Sequence, residues 1–157
     1  MRKLLFVCTG NICRSPVAEF VVRSELAKAG LDIAVASAGT GPWHVGKPAD
    51  PRTLSSAAAH GYDLSAHRAR RVQAGDFAGH DLLLAMDRQN LQALQALCPR
   101  EYAARVMLFL PFAGITTAQE VPDPYYGGPE DFERVIELAR AGADALARKV
   151  ATQRLPL

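Results

Sequence analysis

A short polar loop between a strand-like run and a helix-like stretch constrains this chain more than any other feature. Residues 4–7 are the apolar run LLFV, which is typical of a buried strand, and an apolar-periodic stretch begins at Val17. Between them, positions 7–16 spell VCTGNICRSP, with Cys8 and Arg14 in a C-x5-R spacing. A loop that joins a strand end to a helix start presents unpaired backbone N–H groups and the positive end of a helix dipole. We therefore predict an anion-binding loop at residues 8–14.

The residue types in this loop favour sulfur chemistry on a phosphoryl group. A thiol at a helix start is shifted toward the thiolate, which is the nucleophilic form. The guanidinium of Arg14 is a planar, two-pronged donor suited to phosphate oxygens, and the backbone N–H groups of residues 9–14 add further donors. Cys8 has the alternative of being a buried strand-end thiol, because free cysteines are commonly buried. The strand–loop–helix setting favours the catalytic interpretation.

Other residues of the loop suit a backbone folded around an anion. Gly10 and Asn11 are residue types that tolerate a positive φ, as such a loop often requires. Ser15 and Pro16 predict the start of a helix, with the serine as its cap and the proline at its first position.

The rest of the chain alternates between strand-like and helix-like segments. Apolar runs suited to buried strands lie at 3–7, 33–38, 81–86 and 105–109, and helical patterns lie at 17–29, 51–60, 88–97 and from near Pro129 to Val150. This alternation predicts one α/β domain over residues 1–157, with a parallel sheet and helices on both faces. Right-handed crossovers would then put the loop after the first strand at the carboxyl edge of the sheet.

Composition narrows the class of protein. A net charge of +2 argues against a nucleic-acid or membrane partner, and the apolar run that ends at Cys8 is too short for a secretory signal. Three cysteines make no paired disulfide framework, so we predict a reducing, cytoplasmic location. Neither C-x2-C nor H-x3-H spacing occurs, and we predict neither a metal nor a cofactor.

The chain resembles the low-molecular-weight protein tyrosine phosphatases. The segments that carry the resemblance are spread in the family's order over nearly the whole chain: residues 7–19, 50–52, 67–70, 86–87 and 122–126. The resemblance implies a four-stranded parallel sheet with the phosphate loop after the first strand. It also implies hydrolysis of phosphotyrosine in proteins, and of small aryl phosphates, through a cysteinyl-phosphate on Cys8.

The resemblance assigns a role to Asp123, which lies in a segment rich in proline and glycine at 121–129. Taken alone, an aspartate before a proline is a frequent turn residue. By resemblance, Asp123 is the general acid that protonates the leaving oxygen and later the base that takes a proton from water. The expected catalytic residues are thus Cys8, Arg14 and Asp123.

The resemblance also implies contacts around the phosphate and the ring of the substrate. The hydroxyl of Ser15 is expected to point at the Cys8 sulfur, and Asn11 to bond with His67. Trp43 and Tyr125 match positions that flank the phosphotyrosine ring, whereas His44 is expected at the surface. The expected substrate-binding residues are Thr9, Gly10, Asn11, Ile12, Cys13, Ser15, Trp43 and Tyr125.

The sequence leaves three alternative functions open. Protein arginine phosphatases resemble this chain but carry threonine at the position of Ile12, so the isoleucine favours the tyrosine branch. Arsenate reductases of this fold need two further cysteines, and beyond the loop this chain has only Cys98. A non-catalytic redox or phosphate sensor would use Cys8 and Cys13 but would not require Asp123. Independently of that alternative, we expect an oxidant to join Cys8 and Cys13 in a reversible disulfide.

Overall fold

A four-stranded, all-parallel sheet forms the centre of the computed structural model, which describes residues 3–152. The strands are β1 (Lys3–Cys8), β2 (Ala34–Gly39), β3 (Leu82–Ala85) and β4 (Val106–Leu108), in the order β2-β1-β3-β4. The helices are α1 (Arg14–Lys28), α2 (Pro51–Ala59), α3 (Gly75–Gly79), α4 (Arg88–Leu97), α5 (Phe109–Ala113) and α6 (Pro129–Ala151), with a 3₁₀ turn at Arg100–Arg105. The chain passes from β1 to one neighbour and then crosses to the other side, so a crevice opens beyond the carboxyl ends of β1 and β3.

Alternate residues of β1 face two separate apolar layers. Leu4 and Phe6 pack into the cluster that α1 and α6 cover, whereas Leu5 and Val7 pack into the cluster that α3 and α4 cover. Because both faces are buried, β1 is apolar along its length instead of alternating with polar residues. The predicted four-stranded parallel sheet with helices on both faces is confirmed.

The last predicted strand is wrong at its end. We expected a strand at 105–109, but β4 covers only three residues and Phe109 begins α5. Pro111 explains the difference, because proline has no N–H for a strand ladder yet is tolerated in the first turn of a helix. The short helix α3 and the 3₁₀ turn carry no periodic pattern long enough to be recognised from sequence.

The start of α1 also differs from the prediction. The helix begins at Arg14, and Cys13 occupies the cap position without a side-chain hydrogen bond. Ser15 therefore lies inside the first turn and is not the cap. The predicted stop is close to the observed one, since α1 ends at Lys28 and Gly30 follows with a φ of 74°. In the part of the chain that the structure describes, no helix has the length and apolarity needed to cross a membrane.

Close packing between α6 and α5 depends on a glycine. The ring of Phe109 is fully buried and lies edge-on to Phe6, with 4.9 Å between the ring centroids. A Cβ at Gly142 of α6 would lie 2.4 Å from Cζ of Phe109. This separation is well inside van der Waals contact, so the missing side chain lets α6 approach the core.

We expect Gly142→Ala to destabilise the protein although alanine favours helices. The gain in helix propensity is about 1 kcal/mol, whereas overpacking a core costs typically about 1–3 kcal/mol. Urea unfolding should therefore show a lower free energy of unfolding for this variant. The neighbouring exposed change Ala141→Gly reports the propensity effect alone. A net increase in stability for Gly142→Ala would contradict the tight contact with Phe109.

Candidate active site

The predicted anion loop joins the carboxyl end of β1 to the first turn of α1. Asn11 adopts a φ of 57°, a left-handed conformation that asparagine tolerates better than most residues. Gly10 does not use this conformation; a Cβ there would lie 2.8 Å from Cδ2 of His44, so any side chain at this position would displace that ring. Since α1 begins without a side-chain cap, its first N–H groups remain available to a bound anion.

A largely buried hydrogen-bond network supports this loop from beneath. The side-chain nitrogen of Asn11 donates to Ser15 Oγ and to Ser37 Oγ, both at 2.9 Å, and its oxygen accepts from Arg70 N at 2.9 Å. His67 Nε2 lies 2.7 Å from the carbonyl of Asn11, so the expected histidine contact is made through the backbone. The amide of Asn11 is therefore satisfied on every side.

The sulfur of Cys8 sits above this network with two polar neighbours. Ser15 Oγ lies 2.9 Å from Sγ, and the backbone N–H of Asn11 donates to Sγ at 3.3 Å. Because Ser15 Oγ already accepts from Asn11, its own proton is directed to Sγ or to the more distant carbonyl of Ala38 at 3.4 Å. Asn11 and Ser15 thus lie beneath the loop, where their side chains support the thiol and do not line the cavity.

Arg14 is a buried cation held by two fixed acceptors. Its Nη1 lies 2.5 Å from Asp87 Oδ2 and donates to the carbonyl of Val121 at 3.0 Å. Burial acts to lower the pKa of Arg14, but the nearby Cys8 sulfur and the Asp87 carboxylate raise it by more. The guanidinium therefore stays charged, with its direction set before any ligand binds.

Asp123 faces the same guanidinium from the opposite loop. Its Oδ2 lies 3.8 Å from Arg14 Nη2, and its Oδ1 accepts from the backbone N–H of Tyr125 at 3.1 Å. The side chain is 54% exposed, so it stands at the mouth of the site. The structure thus brings the three expected catalytic side chains to one cavity, although Asp123 is more than a hundred residues from Cys8 and Arg14 in sequence.

That cavity has a volume of about 250 Å³ and aromatic side chains at its mouth. Its lining residues are Cys8, Thr9, Gly10, Ile12, Cys13, Arg14, Trp43, His44, Asp123, Tyr125 and Tyr126. Trp43 is 67% exposed and covers Gly41, where a Cβ would meet its ring. His44, which was expected at the surface, is half-buried and lines the cavity, with its ring centroid 6.4 Å from that of Tyr125.

Sequence comparison decides the identity of the chain. Residues 3–155 match the family model described as low molecular weight phosphotyrosine protein phosphatase. The chain belongs to this family. A relative from Streptomyces coelicolor, named a low molecular weight protein-tyrosine-phosphatase, is 45% identical over 156 residues, which cover 96% of this chain and 94% of that protein. The predicted resemblance is confirmed, and the enzyme is a low-molecular-weight protein-tyrosine phosphatase.

Solved structures of similar proteins agree with this assignment. A protein tyrosine phosphatase from Entamoeba histolytica with Hepes in its active site matches at a TM-score of 0.93 and 37% identity, covering 99% of this chain and all of that one. Vibrio vulnificus Wzb in complex with benzylphosphonate matches at a TM-score of 0.83 and 32% identity, covering 94% of this chain and 98% of that one.

In this phosphatase the two cysteines of the loop lie in different environments. Cys8 and Cys13 are both buried and unpaired, and burial raises the pKa of Cys13 to about 12. Cys13 is therefore a protonated thiol at neutral pH, so any disulfide with Cys8 should form faster as the pH rises. The reversible disulfide stays a prediction. Residues 3–152 contain no group of three or more His, Cys, Asp or Glu placed to hold a metal ion.

Several supporting residues of the phosphatase were missed by sequence reasoning. Ser37 and Gly39 lie at the end of β2, where strand register brings Gly39 beside Cys8. Asn90 in α4 donates to Thr9 Oγ1 at 3.0 Å. In the sequence, each of these is just a small or polar residue near the end of a strand or the start of a helix. The order of the strands in the sheet decides which residue each one contacts.

We expect Gly39→Ala to impair catalysis more than stability. A Cβ at Gly39 would lie 2.7 Å from the carbonyl oxygen of Thr9 and 3.2 Å from the backbone nitrogen of Asn11. The phosphate loop would have to move, and displacements near 1 Å at a reacting centre can cost about a hundredfold in rate. Steady-state kcat/KM for an aryl phosphate measures this effect. Ala36→Gly, a change in the same strand away from the loop, is the control. Equal activity of Gly39→Ala and wild type would contradict the predicted displacement of the phosphate loop.

Proposed function

We propose that the phosphatase hydrolyses phosphotyrosine in two steps that share one cavity. In the first step the Cys8 sulfur attacks phosphorus, a sulfur–phosphorus bond forms, and the bond from phosphorus to the tyrosine oxygen breaks. The departing oxygen takes a proton from the carboxyl group of Asp123. Tyrosine leaves, and the enzyme holds a cysteinyl-phosphate.

In the second step water replaces the sulfur. The carboxylate of Asp123 accepts a proton from a water molecule, whose oxygen attacks phosphorus while the sulfur–phosphorus bond breaks. Inorganic phosphate leaves, and Asp123 is protonated again for the next cycle. Donation from Ser15 Oγ, 2.9 Å from Sγ, would stabilise the departing thiolate.

The charge that develops on the phosphoryl oxygens needs fixed donors. Arg14 keeps Nη2 directed toward the site while Asp87 and Val121 hold Nη1, and the backbone N–H groups of the loop supply the others. Donors held in place before substrate binds need no reorganisation during the reaction. The observation that carries the proposal is the convergence of Cys8, Arg14 and Asp123 in the lining of one cavity.

The alternatives lack such support. The remaining cysteine, Cys98, lies at the end of α4 outside this cavity and donates to the carbonyl of Pro99. A relay of the arsenate-reductase kind needs two further cysteines beyond the loop, and the chain has only Cys98 there. A sensor that only binds phosphate would leave the placement of Asp123 against Arg14 unexplained.

Removal of the nucleophile tests the function directly. We expect Cys8→Ser to lower kcat/KM on a phosphotyrosine peptide by about 10⁴-fold or more, because the serine hydroxyl is a far weaker nucleophile in this site. Cys98→Ser is the matched control and should keep wild-type turnover. The fold of both variants is checked by thermal unfolding. Activity of Cys8→Ser near that of wild type would refute the proposed mechanism.

The role of Asp123 predicts a dependence on the leaving group. Asp123→Asn should lower the rate of hydrolysis of phosphotyrosine and phenyl phosphate by about a hundredfold or more. The rate for dinitrophenyl phosphate should fall much less, because a stable phenolate needs little protonation as it leaves. The measurement is kcat/KM across a series of aryl phosphates. An equal loss across the series would indicate a structural role for this carboxylate.

Selectivity for tyrosine is proposed to come from the apolar walls, since the phosphate loop contacts only the phosphoryl group. Ile12, Trp43 and Tyr125 line the cavity on different elements and would enclose a flat ring. The benzylphosphonate complex of the Vibrio vulnificus relative supports this, because that ligand joins an aromatic ring to a phosphonate.

Loss of one aromatic wall should lower kcat/KM for aryl substrates specifically. Each aromatic pair contributes about 0.5–1.5 kcal/mol beyond burial, so Trp43→Ala should lower kcat/KM for a phosphotyrosine peptide roughly threefold to tenfold. A small alkyl phosphate should be affected much less. Leu97→Ala removes another exposed apolar side chain far from the cavity and serves as the control. Equal losses for aryl and alkyl substrates would count against the wall.

A further inference from the structure

Arg52, in the first turn of α2, connects two parts of the site without lining the cavity. Its Nε and Nη2 bind the two oxygens of Asp50 at 3.0 and 2.9 Å, and its Nη1 donates to the carbonyl of Tyr125 at 2.9 Å. Its guanidinium carbon lies 4.5 Å from the ring centroid of Phe132 and 5.3 Å from that of Tyr125. One planar cation therefore makes three directed hydrogen bonds and contacts two aromatic rings.

Each end of this bridge reaches a functional segment. The backbone N–H of Asp50 donates to the carbonyl of Ile12 in the phosphate loop at 2.9 Å. At the other end, the backbone N–H of Tyr125 donates to Asp123 Oδ1 at 3.1 Å. The path from the phosphate loop to Asp123 thus runs through Asp50, Arg52 and Tyr125.

The segment that carries Asp123 has few other anchors. Within the described part of the chain, the hydrogen bond from Arg52 is the one that ties residues 122–127 to another element. Val121 before it bonds to Met86 and Arg14, and Gly128 after it bonds to Asp131. The residues of this segment are exposed apart from Pro124, so packing restrains it mainly at that one proline.

We propose that Arg52 is a positioning residue that holds the acid-bearing segment at a fixed distance from the phosphate loop, so that Asp123 meets the leaving oxygen. This inference rests on the proposed function, in which Asp123 is the general acid. Arg52 touches neither the substrate nor the reacting atoms; it acts through the carbonyl of Tyr125 and the turn that this residue closes with Asp123.

The chemistry of the side chain explains why an arginine suits this position. A guanidinium is planar and presents five N–H donors in a rigid fork, so it can bind a carboxylate with two groups and a carbonyl with a third. Its faces stack on aromatic rings, here those of Phe132 and Tyr125. A lysine ammonium keeps the charge but cannot span the same acceptors in one plane.

The test compares substrates with poor and good leaving groups in Arg52→Ala. We expect kcat/KM for phosphotyrosine and phenyl phosphate to fall by about tenfold to a hundredfold, the scale of a 1 Å misplacement at a reacting group. Dinitrophenyl phosphate should lose less than about threefold, because its departure needs little protonation. The inhibition constant of inorganic phosphate should stay within about twofold, since the phosphate loop is unchanged. Arg52→Lys should show the same dependence on the leaving group.

Two further variants separate the bridge from charge and from folding. Arg71→Ala removes another exposed cation, whose side chain donates to the carbonyl of Thr40, and should leave kcat/KM unchanged across the series of substrates. Asp50→Asn keeps an efficient cap for α2 but weakens the ion pair, so it should reproduce a smaller form of the Arg52 effect. If Asp50 acts through Arg52, the double variant should be no slower than Arg52→Ala alone.

The possible results are distinguishable. An equal loss on all substrates in Arg52→Ala, no loss at all, or the same loss in Arg71→Ala would each overturn the positioning role. Should Arg52→Ala fail to fold, Arg52→Lys and Asp50→Asn decide the question with the same substrates. Asp123→Asn is measured in parallel: if it too lacks a leaving-group dependence, the general-acid assignment fails, whereas if it alone has one, only the role of Arg52 fails.

Discussion

The active site depends first on the buried side chain of Asn11. In a left-handed conformation, its amide donates to Ser15 and Ser37 and accepts from Arg70. These partners belong to α1, β2 and the segment after α2, so one side chain fixes the loop against three parts of the fold. Leaving any of these buried groups without a partner would cost about 1–3 kcal/mol, which discourages other loop conformations. The conformation of the loop is therefore fixed by contacts within the protein.

Charge is arranged around this fixed loop in opposed pairs. Arg14 lies at a helix start, where a cation opposes the dipole, and Asp87 offsets that conflict by direct contact. Asp123 approaches the other end of the same guanidinium at 3.8 Å. Asp87 and the carbonyl of Val121 already hold one side of the guanidinium, so its orientation need not change when a phosphoryl group approaches. Binding then demands little rearrangement, which is the condition under which electrostatic stabilisation is most effective.

The phosphate loop and the segment that carries Asp123 are attached to the rest of the fold to different degrees. The phosphate loop lies between β1 and α1, and most of its carbonyls accept hydrogen bonds from other segments. Among the described residues, the segment with Asp123 is held by the ion pair with Arg14, the aromatic contacts, the hydrogen bond from Arg52 and the burial of Pro124. A loop that must admit a protein substrate gains from this difference. The loop after β1 is held by buried contacts, whereas the segment with Asp123 is held mainly by contacts that lie at the surface.

The sequence by itself determined the nucleophile loop, the alternation of strands and helices, and the family. These features depend on residues that are neighbours in the chain: a cysteine after an apolar run, an arginine six positions later, and periodic apolar stretches. Only the tertiary structure decided that Asn11 and Ser15 work beneath the loop, that Gly39 must lack a side chain, and that Arg52 bridges two segments. Each of these roles comes from a partner far away in sequence, such as Arg70 for Asn11 or Tyr125 for Arg52. A local sequence pattern indicates which face of a helix or strand is buried. Strand order and helix packing decide which atoms each buried residue contacts.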